Sequence, residues 1–531
     1  MKYRVILSII MVLSLTFCSS CSRKPNVQVS HSLKIVAAAN PLTLNPLFIR
    51  DSASAEVAAL LYPSLLSTSF ETLEVEPRLF SEWEISEDGK TYLFKLSEDT
   101  FWSDGMPLTA WDVAFTIRII CHHDYTGWLF PGMSRIEGAS EYKENRKSPL
   151  AEGEIRGIKV LSDKELEICL SQTFSPFLTY LDLSPLPLHV LGDVAVRDLE
   201  NHAYSLSVPV GSGPYLLSEW LPDRYLHVRA NRDYYLGEPK IEEIYYIIIP
   251  NQETQLLELL TGQVDLVPTT VKVEDVDQLK KESDLAVYSH LRLSYDYLGF
   301  NLKKKDSPLS DRRVRQALSM LLNRDEIVNN LLLGFGQEAK GPLSPYHYSY
   351  DPDFTGHIFN PVAARKLLLE AGYPSLRLKL VYNAGNSLRE NVALIFKEQA
   401  AAAGIYIDIC TLEWEAFLQS LQEGDYDVML LGCGTGVDPD LTFHWHSQSP
   451  GNIFGYANSE VDKLLEKAVE TFEKEERTFL YRQAQKLIVK DAPVAWLYNR
   501  KAVHAVSARL KNFQPHPENL FYNVHQWQLI K

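Results

Sequence analysis

Three glycines, a thiol and two carboxylates fall within the eleven residues 430–440, LLGCGTGVDPD. Such a stretch could hold a phosphate, bind a metal or contact a ligand through its backbone. It lacks the complete glycine pattern of a dinucleotide-binding turn, as does GSGPY at 211–215. DGKT at 88–91 lacks the glycine of a phosphate loop six residues before its lysine. The chemistry of this loop therefore depends on the elements around it.

The sequence predicts no enzyme, because the common catalytic signatures are missing. It contains neither the HExxH pattern of zinc proteases nor the GxSxG nucleophile turn of hydrolases. His444 and His446 share a face only on a strand, and no third metal ligand is identifiable nearby. We interpret them, and the pair His122 and His123, as surface or packed histidines. The sequence thus predicts neither a metal site nor a cofactor.

Composition excludes a further class of function. The chain has 531 residues, of which 46% are hydrophobic, and a formal net charge of −16. Nucleic-acid binding requires clustered basic residues, so this balance predicts no nucleic-acid partner. The length is sufficient for two or three packed lobes.

The amino terminus has the pattern of an export signal. The basic start MKYR precedes an apolar run at 5–17 that is too short for an ordinary membrane span. Cys21 follows two serines, so residues 1–20 resemble a bacterial lipoprotein signal with Cys21 as the acylated, palmitate-bearing residue. Cys18 is the alternative lipidation site, and a plain secreted protein is the alternative to both.

Cysteine usage does not indicate a disulfide scaffold. Beyond Cys21 the chain contains only Cys121, Cys169, Cys410 and Cys433, without a CxxC motif. A bridge between Cys410 and Cys433 stays open, since sequence does not give their distance.

Local patterns predict an α/β organisation. Alternating apolar residues predict a strand at 91–96, and Thr109 with Asp112 predicts a capping box that opens the next helix. Asn360 and Pro361 predict the start of a helix that ends at Gly372. The segments GIYIDIC, EWEAFLQSLQEG and YDVMLLG, between 404 and 432, follow the order strand, helix, strand.

Seven blocks in a fixed order resemble the family 5 extracellular solute-binding proteins, the oligopeptide- and dipeptide-binding receptors of bacterial ABC importers. The longest is FSEWEISEDGKTYLFKLSEDTFWSDGMPLTAWDVAFTIR at 80–118. The other six occupy 211–220, 231–244, 299–328, 359–374, 452–468 and 482–498. The resemblance therefore extends over most of the chain after residue 33.

The resemblance implies a periplasmic binding protein-like flytrap of type II, cluster C, with two main lobes and an inserted extra domain. The implied segments are 31–68, 188–288 and 500–531 for lobe I, 69–187 for the inserted lobe II, and 289–499 for lobe III. Ligand closure is then a hinge motion between lobes.

The resemblance also implies the function. We expect a monomeric lipoprotein on the periplasmic, extracytoplasmic face of the membrane, anchored through Cys21. It would capture peptides or peptide-like solutes in an interlobe cleft and deliver them to an ABC permease.

The loop at 430–440 acquires a role from this resemblance. In peptide-binding relatives the matching stretch pairs with the peptide backbone like an added strand, which binds without reading side chains. From lobe III the implied ligand contacts are Gly432, Cys433, Gly434, Thr435, Asp438, Asn383 and Trp414. From lobe I they are Arg50, Asp51 and Ser52.

Several positions depart from the family pattern. The place of the aspartate that pairs with the α-amino group of a peptide falls on Thr435 or Gly436, and two basic family positions fall on Leu421 and Leu430. Asp438 is interpreted as a turn residue or, alternatively, as a replacement anchor.

Each remaining contact has a structural alternative. For Trp414 the alternative to a ligand contact is core packing, and for Asn383 it is a turn position. Arg50 is a candidate for binding a ligand carboxylate, and its alternative is an exposed surface position.

Three other functions stay open at this stage. Within the same class, the ligand could be a metal complex or a modified cell-wall peptide. From other classes, an exported hydrolase or a surface adhesin or chaperone that reuses the fold are alternatives.

Overall fold

A computed structural model describes residues 32–69, 71–145, 154–268 and 271–530. The predicted leader, with Cys18 and Cys21, lies outside these residues. Within the described ranges, no helix combines the length and apolarity needed to cross a bilayer.

The described residues contain nineteen strands, numbered in chain order. They are β1 (Ser32–Ala37), β2 (Leu66–Thr68), β3 (Val75–Pro77), β4 (Phe80–Ile85), β5 (Thr91–Leu96), β6 (Ile158–Ser162), β7 (Glu165–Cys169), β8 (Tyr215–Leu221), β9 (Tyr225–Ala230), β10 (Glu243–Ile248), β11 (Leu285–Leu291), β12 (Ser294–Phe300), β13 (Gly336–Glu338), β14 (Leu376–Asn383), β15 (Ile405–Leu412), β16 (Val428–Gly434), β17 (Val494–Ser507), β18 (Leu510–Lys511) and β19 (Gln528–Leu529).

The α-helices of the same residues are also numbered in chain order. They are α1 (Ser52–Leu61), α2 (Ala110–Cys121), α3 (Phe130–Met133), α4 (Ala139–Glu144), α5 (Leu188–Leu191), α6 (Ala203–Leu206), α7 (Gln252–Leu260), α8 (Val276–Leu279), α9 (Arg312–Met320), α10 (Arg324–Glu326), α11 (Pro361–Glu370), α12 (Ser387–Ala401), α13 (Trp414–Glu423), α14 (Thr442–Trp445), α15 (Ser459–Glu470) and α16 (Lys474–Asp491).

Three main sheets organise these elements. A four-stranded sheet has the order β1-β10-β9-β8, and a second four-stranded sheet, inserted in the chain between β1 and β8, has the order β4-β5-β7-β6. The largest sheet has the order β11-β17-β12-β16-β14-β15, with β13 paired to β17. Isolated bridges through Leu266 connect β1 to β17 and so link the first and largest sheets.

The sequence predictions for the inserted region are confirmed. Tyr92, Phe94 and Leu96 of β5 are buried on one face of the small sheet. Thr109 precedes α2 and forms the capping box with Asp112, whose Oδ2 accepts the Thr109 N–H at 2.8 Å. The cap fixes where α2 begins, so that its apolar face packs against the small sheet.

Helix α11 also begins and ends where the sequence predicts. Asn360 Oδ1 accepts the N–H of Ala363 at 2.9 Å, and Pro361 is the first helical residue. Gly372 follows with a φ of +89°, a left-handed conformation that glycine adopts without strain.

The long strand β17 connects two parts of the largest sheet. Its first half, up to residue 500, pairs with β12 and β13, and residues 501–507 pair with β11. The boundary implied by the resemblance, between 499 and 500, therefore falls inside one continuous strand. The division of the chain into lobes stays a prediction.

The two faces of the largest sheet cover separate cores. One face, with Leu298, Leu380 and Leu430, packs against α9, α11 and α12. The other face, with Tyr295 and Tyr297, packs against α15 and α16. Both tyrosines are buried, so they belong to the core and not to an open cleft.

Candidate ligand-binding site

One edge of the largest sheet collects most of the residues implied for lobe III. Strands β14, β15 and β16 run parallel and end there, at Asn383, Leu412 and Gly434. Because β12 runs antiparallel to β16, and β17 antiparallel to β12, the start of β12 and residues 498–500 of β17 lie at the same edge. Ligands of open α/β sheets bind beyond the carboxyl ends of parallel strands.

Strand β16 has an open side at this edge. It pairs with β12 along its whole length, from Val428 to Gly434. With β14 it pairs only through Val428 and Met429, at the opposite end. In the ladders of the described residues, residues 430–434 thus have a strand partner on one side only. Thr435 continues toward β12, where its N–H donates to Leu293 O at 2.9 Å.

Asn383 and Trp414 follow the neighbouring strands. Asn383 is the last residue of β14, and its Oδ1 accepts a hydrogen bond from Arg389. Trp414 is the first residue of α13 and is half-exposed, with its ring centroid 5.8 Å from that of Phe417. The exposure of Trp414 argues against the core-packing alternative.

Cys433 occupies the open end of β16 as a free thiol. Its Sγ lies 3.1 Å from Nε2 of His444, and burial raises the pKa of the thiol to about 11. A thiol with that pKa is protonated at neutral pH and is a poor nucleophile. Cys410 lies on β15, with β14 between it and β16, and both cysteines are free.

Asp438 is held by a buried arginine. Its two carboxylate oxygens accept hydrogen bonds from Arg477 Nη2 at 2.9 and 3.1 Å, and the two side chains are only 13% and 8% exposed. Oδ1 also accepts the N–H of Asp440 at 3.0 Å. These contacts favour the turn interpretation of Asp438 over the ligand-anchor interpretation.

A second buried carboxylate, Asp296, lies beside Gly432. Its Oδ1 is 4.0 Å from Arg389 Nη2, and its Oδ2 is 3.3 Å from Arg500 Nε. A Cβ atom placed on Gly432 would lie 3.2 Å from Asp296 Oδ1 and 3.6 Å from Arg389 Nη2. The glycine therefore leaves room for these charged groups directly at the strand backbone.

The electrostatics of this group are dominated by burial and by three guanidinium groups. Burial raises the pKa of Asp296, and Arg500, Arg389 and Arg292 oppose that shift. Burial lowers the pKa of Arg389 and of Arg292, and the like charge of Arg500 adds to the effect for both. We call Asp296, Arg292, Arg389 and Arg500 the arginine cluster.

Sequence reasoning missed the arginine cluster. One signal was available, because Asp296 occupies a position in SYDYLGF that shares a sheet face with Leu298 and Phe300. A carboxylate on a buried face requires a charged partner. The partners come from distant segments, and no local pattern marks Arg389 or Arg500.

The residues implied for lobe I have local partners. The half-exposed Arg50 pairs with Glu200, Nη1 to Oε1, at 3.3 Å, and its Nη2 donates to Thr126 Oγ1 at 3.3 Å. Asp51 caps α1 by accepting the Ser54 N–H at 2.8 Å. Ser52 is the exposed first residue of that helix. The prediction that this loop contacts the ligand stays open.

The histidine pairs are accounted for by neighbouring groups. His446 Nε2 lies 3.2 Å from Glu466, away from the Cys433 contact of His444. Ligand atoms of His122, His123 and Asp124 lie within 4.8 Å of one another. However, His122 Nδ1 accepts the N–H of Asp124 at 3.1 Å, which engages one of these nitrogens.

A known family model matches this chain over residues 74–455, and its description is "Bacterial extracellular solute-binding proteins, family 5 Middle". The chain belongs to this family. Among curated proteins, it is similar to the oligopeptide-binding protein AppA of Bacillus subtilis, with 30% identity over 560 residues, which cover 99% of this chain and 98% of AppA. It is also 26% identical over 505 residues to heme-binding protein A of Haemophilus influenzae, covering 91% and 90% of the two chains.

Solved structures agree with this assignment. The structure of Bacillus subtilis AppA in complex with a nonapeptide matches with a TM-score of 0.74 and 28% identity, over 94% of this chain and 99% of that chain. The family 5 protein described here thus has the mixed α/β, periplasmic binding protein-like fold that the sequence resemblance implies. Its relatives are solute-binding proteins rather than enzymes, which agrees with the missing catalytic motifs.

Proposed function

We propose that this protein captures a peptide or peptide-like solute in a cleft between lobe I and lobe III and delivers it to an ABC permease. The site lies at the carboxyl edge of the largest sheet. The loop at 50–52 would close over it from lobe I.

The open side of β16 is the observation that carries the proposal. A strand without a partner on one side presents unpaired N–H and C=O groups, to which an extended peptide can add. Gly432 and Gly434 carry no side chains that would keep an incoming backbone away. Since all peptides share the same backbone, this mode tolerates many sequences.

The energetics require several contacts together. A single backbone hydrogen bond contributes about 0.5–1.5 kcal/mol net, because the free groups already bond to water. Three or four such bonds along β16, together with one charged contact, give an affinity in the micromolar range only if little ordering cost opposes them. The site therefore needs closure around the ligand.

Closure would use the continuity of β17. This strand belongs at one end to the part of the sheet that carries the site and at the other end to the part linked with β1. We propose a hinge near residue 500 and in the short connection 292–293 between β11 and β12. A few residues at element ends suffice to absorb such a rotation.

Anchoring and partners complete the proposal. Acylation of Cys21 would keep a monomeric receptor on the extracytoplasmic face of the membrane, beside its permease. Two or more acyl chains are needed for stable anchoring, since one chain binds a bilayer only weakly.

A non-peptide solute is the second candidate. Leu430 and Leu421, which replace basic family positions, are both buried, so they offer no charge to a ligand. A relative that is 26% identical over 91% of this chain is a heme-binding protein. Both points favour a ligand other than a short peptide held at two charged ends.

Native purification separates the two candidates. The protein is purified without denaturant and then unfolded, and the released small molecules are identified by mass spectrometry. A ladder of mixed short peptides supports peptide capture. One defined non-peptide compound overturns it and supports the second candidate.

A further inference from the structure

We propose that the ligand presents an anionic group, the terminal carboxylate in the case of a peptide, to Arg389 and Arg500 of the arginine cluster. This inference rests on the proposed function and specifies which part of the ligand the site recognises. No α-amino anchor is required.

The charge count of the cluster supports an anionic ligand. The guanidinium groups of Arg389 and Arg500 carry +2 against the single carboxylate of Asp296 between them, so these three side chains hold more positive than negative charge. Burial makes such an excess costly, because charges in a low-dielectric site repel one another more strongly than in water. A carboxylate from the ligand would relieve that repulsion.

Donor atoms are available within the cluster. Arg389 Nε is buried and, among the described residues, has no hydrogen-bond partner, whereas Arg500 Nε lies 3.3 Å from Asp296 Oδ2. The Arg500 side chain is 35% exposed, so a ligand can reach it, whereas Asp296 is only 7% exposed. Guanidinium groups bind carboxylates through paired N–H donors.

The position of the cluster fits the end of an added strand. Asp296 and Arg389 lie directly over the Gly432 backbone, on the strand that an incoming peptide would join. A strand advances about 3.3 Å per residue, so a peptide paired with residues 430–434 would have a terminus within one or two residues of the cluster. Because the nearest side chains there include two arginines, we assign the carboxyl end of the peptide to this position.

The same cluster disfavours an ammonium group. An α-amino group directed at Asp296 would meet Arg389 and Arg500 on either side of that carboxylate. Placing like charges together at a binding site costs several kcal/mol. Asp296 therefore acts as an internal counter-ion and not as a replacement for the missing amino anchor.

Blocked peptides test the inference directly. A mixed-sequence pool of pentapeptides is prepared in free, N-acetylated and C-amidated forms, and binding to the purified protein is measured by calorimetry. We expect acetylation to change affinity less than about threefold and amidation to weaken it roughly ten- to hundredfold, the range of a buried charge-assisted contact.

The outcomes separate recognition of the carboxylate from peptide capture itself. Equal binding of free and amidated peptides, or loss of binding on acetylation, overturns the carboxylate inference and leaves peptide capture intact. Failure of all three forms to bind overturns both.

Variants locate the contact. Arg500→Gln is expected to reduce the preference for free over amidated peptides at least about tenfold, with partial rescue in Arg500→Lys. Arg377→Gln is the matched control, because Arg377 lies on β14 at the end opposite to Asn383 and forms an exposed pair with Asp408. Asp296→Asn should retain or tighten binding of free peptides. If the Asp296→Asn protein folds but no longer binds free peptides, Asp296 is an ammonium anchor and the inference is overturned.

Discussion

Two buried carboxylates flank the loop that follows β16, and they are neutralised in different ways. Asp438 has one arginine, Arg477, which contacts both of its oxygens. Asp296 has one arginine within 3.3 Å and another at 4.0 Å, with Arg292 close enough to influence it. The first pair is balanced and enclosed, whereas the second carries an excess of positive charge beside an open strand.

This difference suggests separate roles: the Asp438–Arg477 pair stabilises the fold, and the arginine cluster recognises the ligand. In the pair of Asp438 and Arg477 the opposite charges already compensate each other, so we assign this pair the role of holding the loop. An unbalanced cluster with partly exposed arginines has charge and donors to offer. Asp438, which the sequence suggested as a candidate anchor, belongs to the pair that holds the loop. The candidate recognition site lies beside Asp296, which the sequence did not single out.

The largest expected effect on stability comes from removing Arg477 from its pair with Asp438. Arg477→Leu leaves Asp438 buried without its partner and should lower the free energy of unfolding by about 3–5 kcal/mol, measured in urea. The double variant with Asp438→Leu should recover much of that loss, since the Asp438 carboxylate is no longer left without its arginine. A loss below about 1 kcal/mol would contradict the assignment of the pair as structural.

A side chain at Gly432 should disturb both the cluster and the proposed ligand. Gly432→Val places atoms against Asp296 and Arg389, and we expect peptide affinity to fall at least about tenfold, with a stability cost of about 1–3 kcal/mol. Gly434→Ala should have a smaller effect, because the nearest atom to its Cβ is Leu293 O at 4.0 Å. Equal effects at the two glycines would show that the cluster is not the sensitive element.

The unbalanced cluster should respond asymmetrically to loss of charge. Asp296→Asn removes the counter-ion and should cost about 1–3 kcal/mol of stability. Arg500→Gln removes one of three like charges and should cost less than about 1 kcal/mol. Both are measured as unfolding free energies in urea. A larger cost for Arg500→Gln would mean that the cluster is balanced in the same way as the Asp438 pair.

The smallest expected effect concerns the rate at which the Cys433 thiol is alkylated. Because burial raises the pKa of Cys433 to about 11, its thiolate forms only as the pH approaches that value. Alkylation by iodoacetamide should therefore be slow at pH 7 and accelerate with rising pH, and a bound peptide should slow it further. The contribution of Cys433 is obtained by comparison with Cys433→Ser. Rapid alkylation at pH 7 would contradict the proposed burial.

Local signals predicted the elements but not the charged contacts. Caps and alternation are set by neighbouring residues, which is why the capping box at Thr109 and the helix at Asn360 are confirmed. The arginine cluster joins Asp296 and its sequence neighbour Arg292 to Arg389 of α12 and Arg500 of β17, which are distant in the chain. Arg477 lies 39 residues from Asp438. Such pairs are set by packing, which single-sequence patterns do not encode.

Strand order also explains why Cys410 and Cys433 are free and do not form a disulfide. Cys410 and Cys433 lie on consecutive strands of the chain, β15 and β16, but β14 is inserted between them in the sheet. A parallel strand from earlier in the chain thus keeps the two thiols apart. Sequence spacing alone could not exclude the bridge, because it does not give the strand order.

The most direct measurement is a crystal structure of the protein with a bound pentapeptide. We predict an extended peptide whose backbone pairs with residues 432–434 of β16 and whose terminal carboxylate lies within hydrogen-bond distance of Arg389 or Arg500. A peptide whose amino group contacts Asp296, or one bound away from β16, would contradict this prediction.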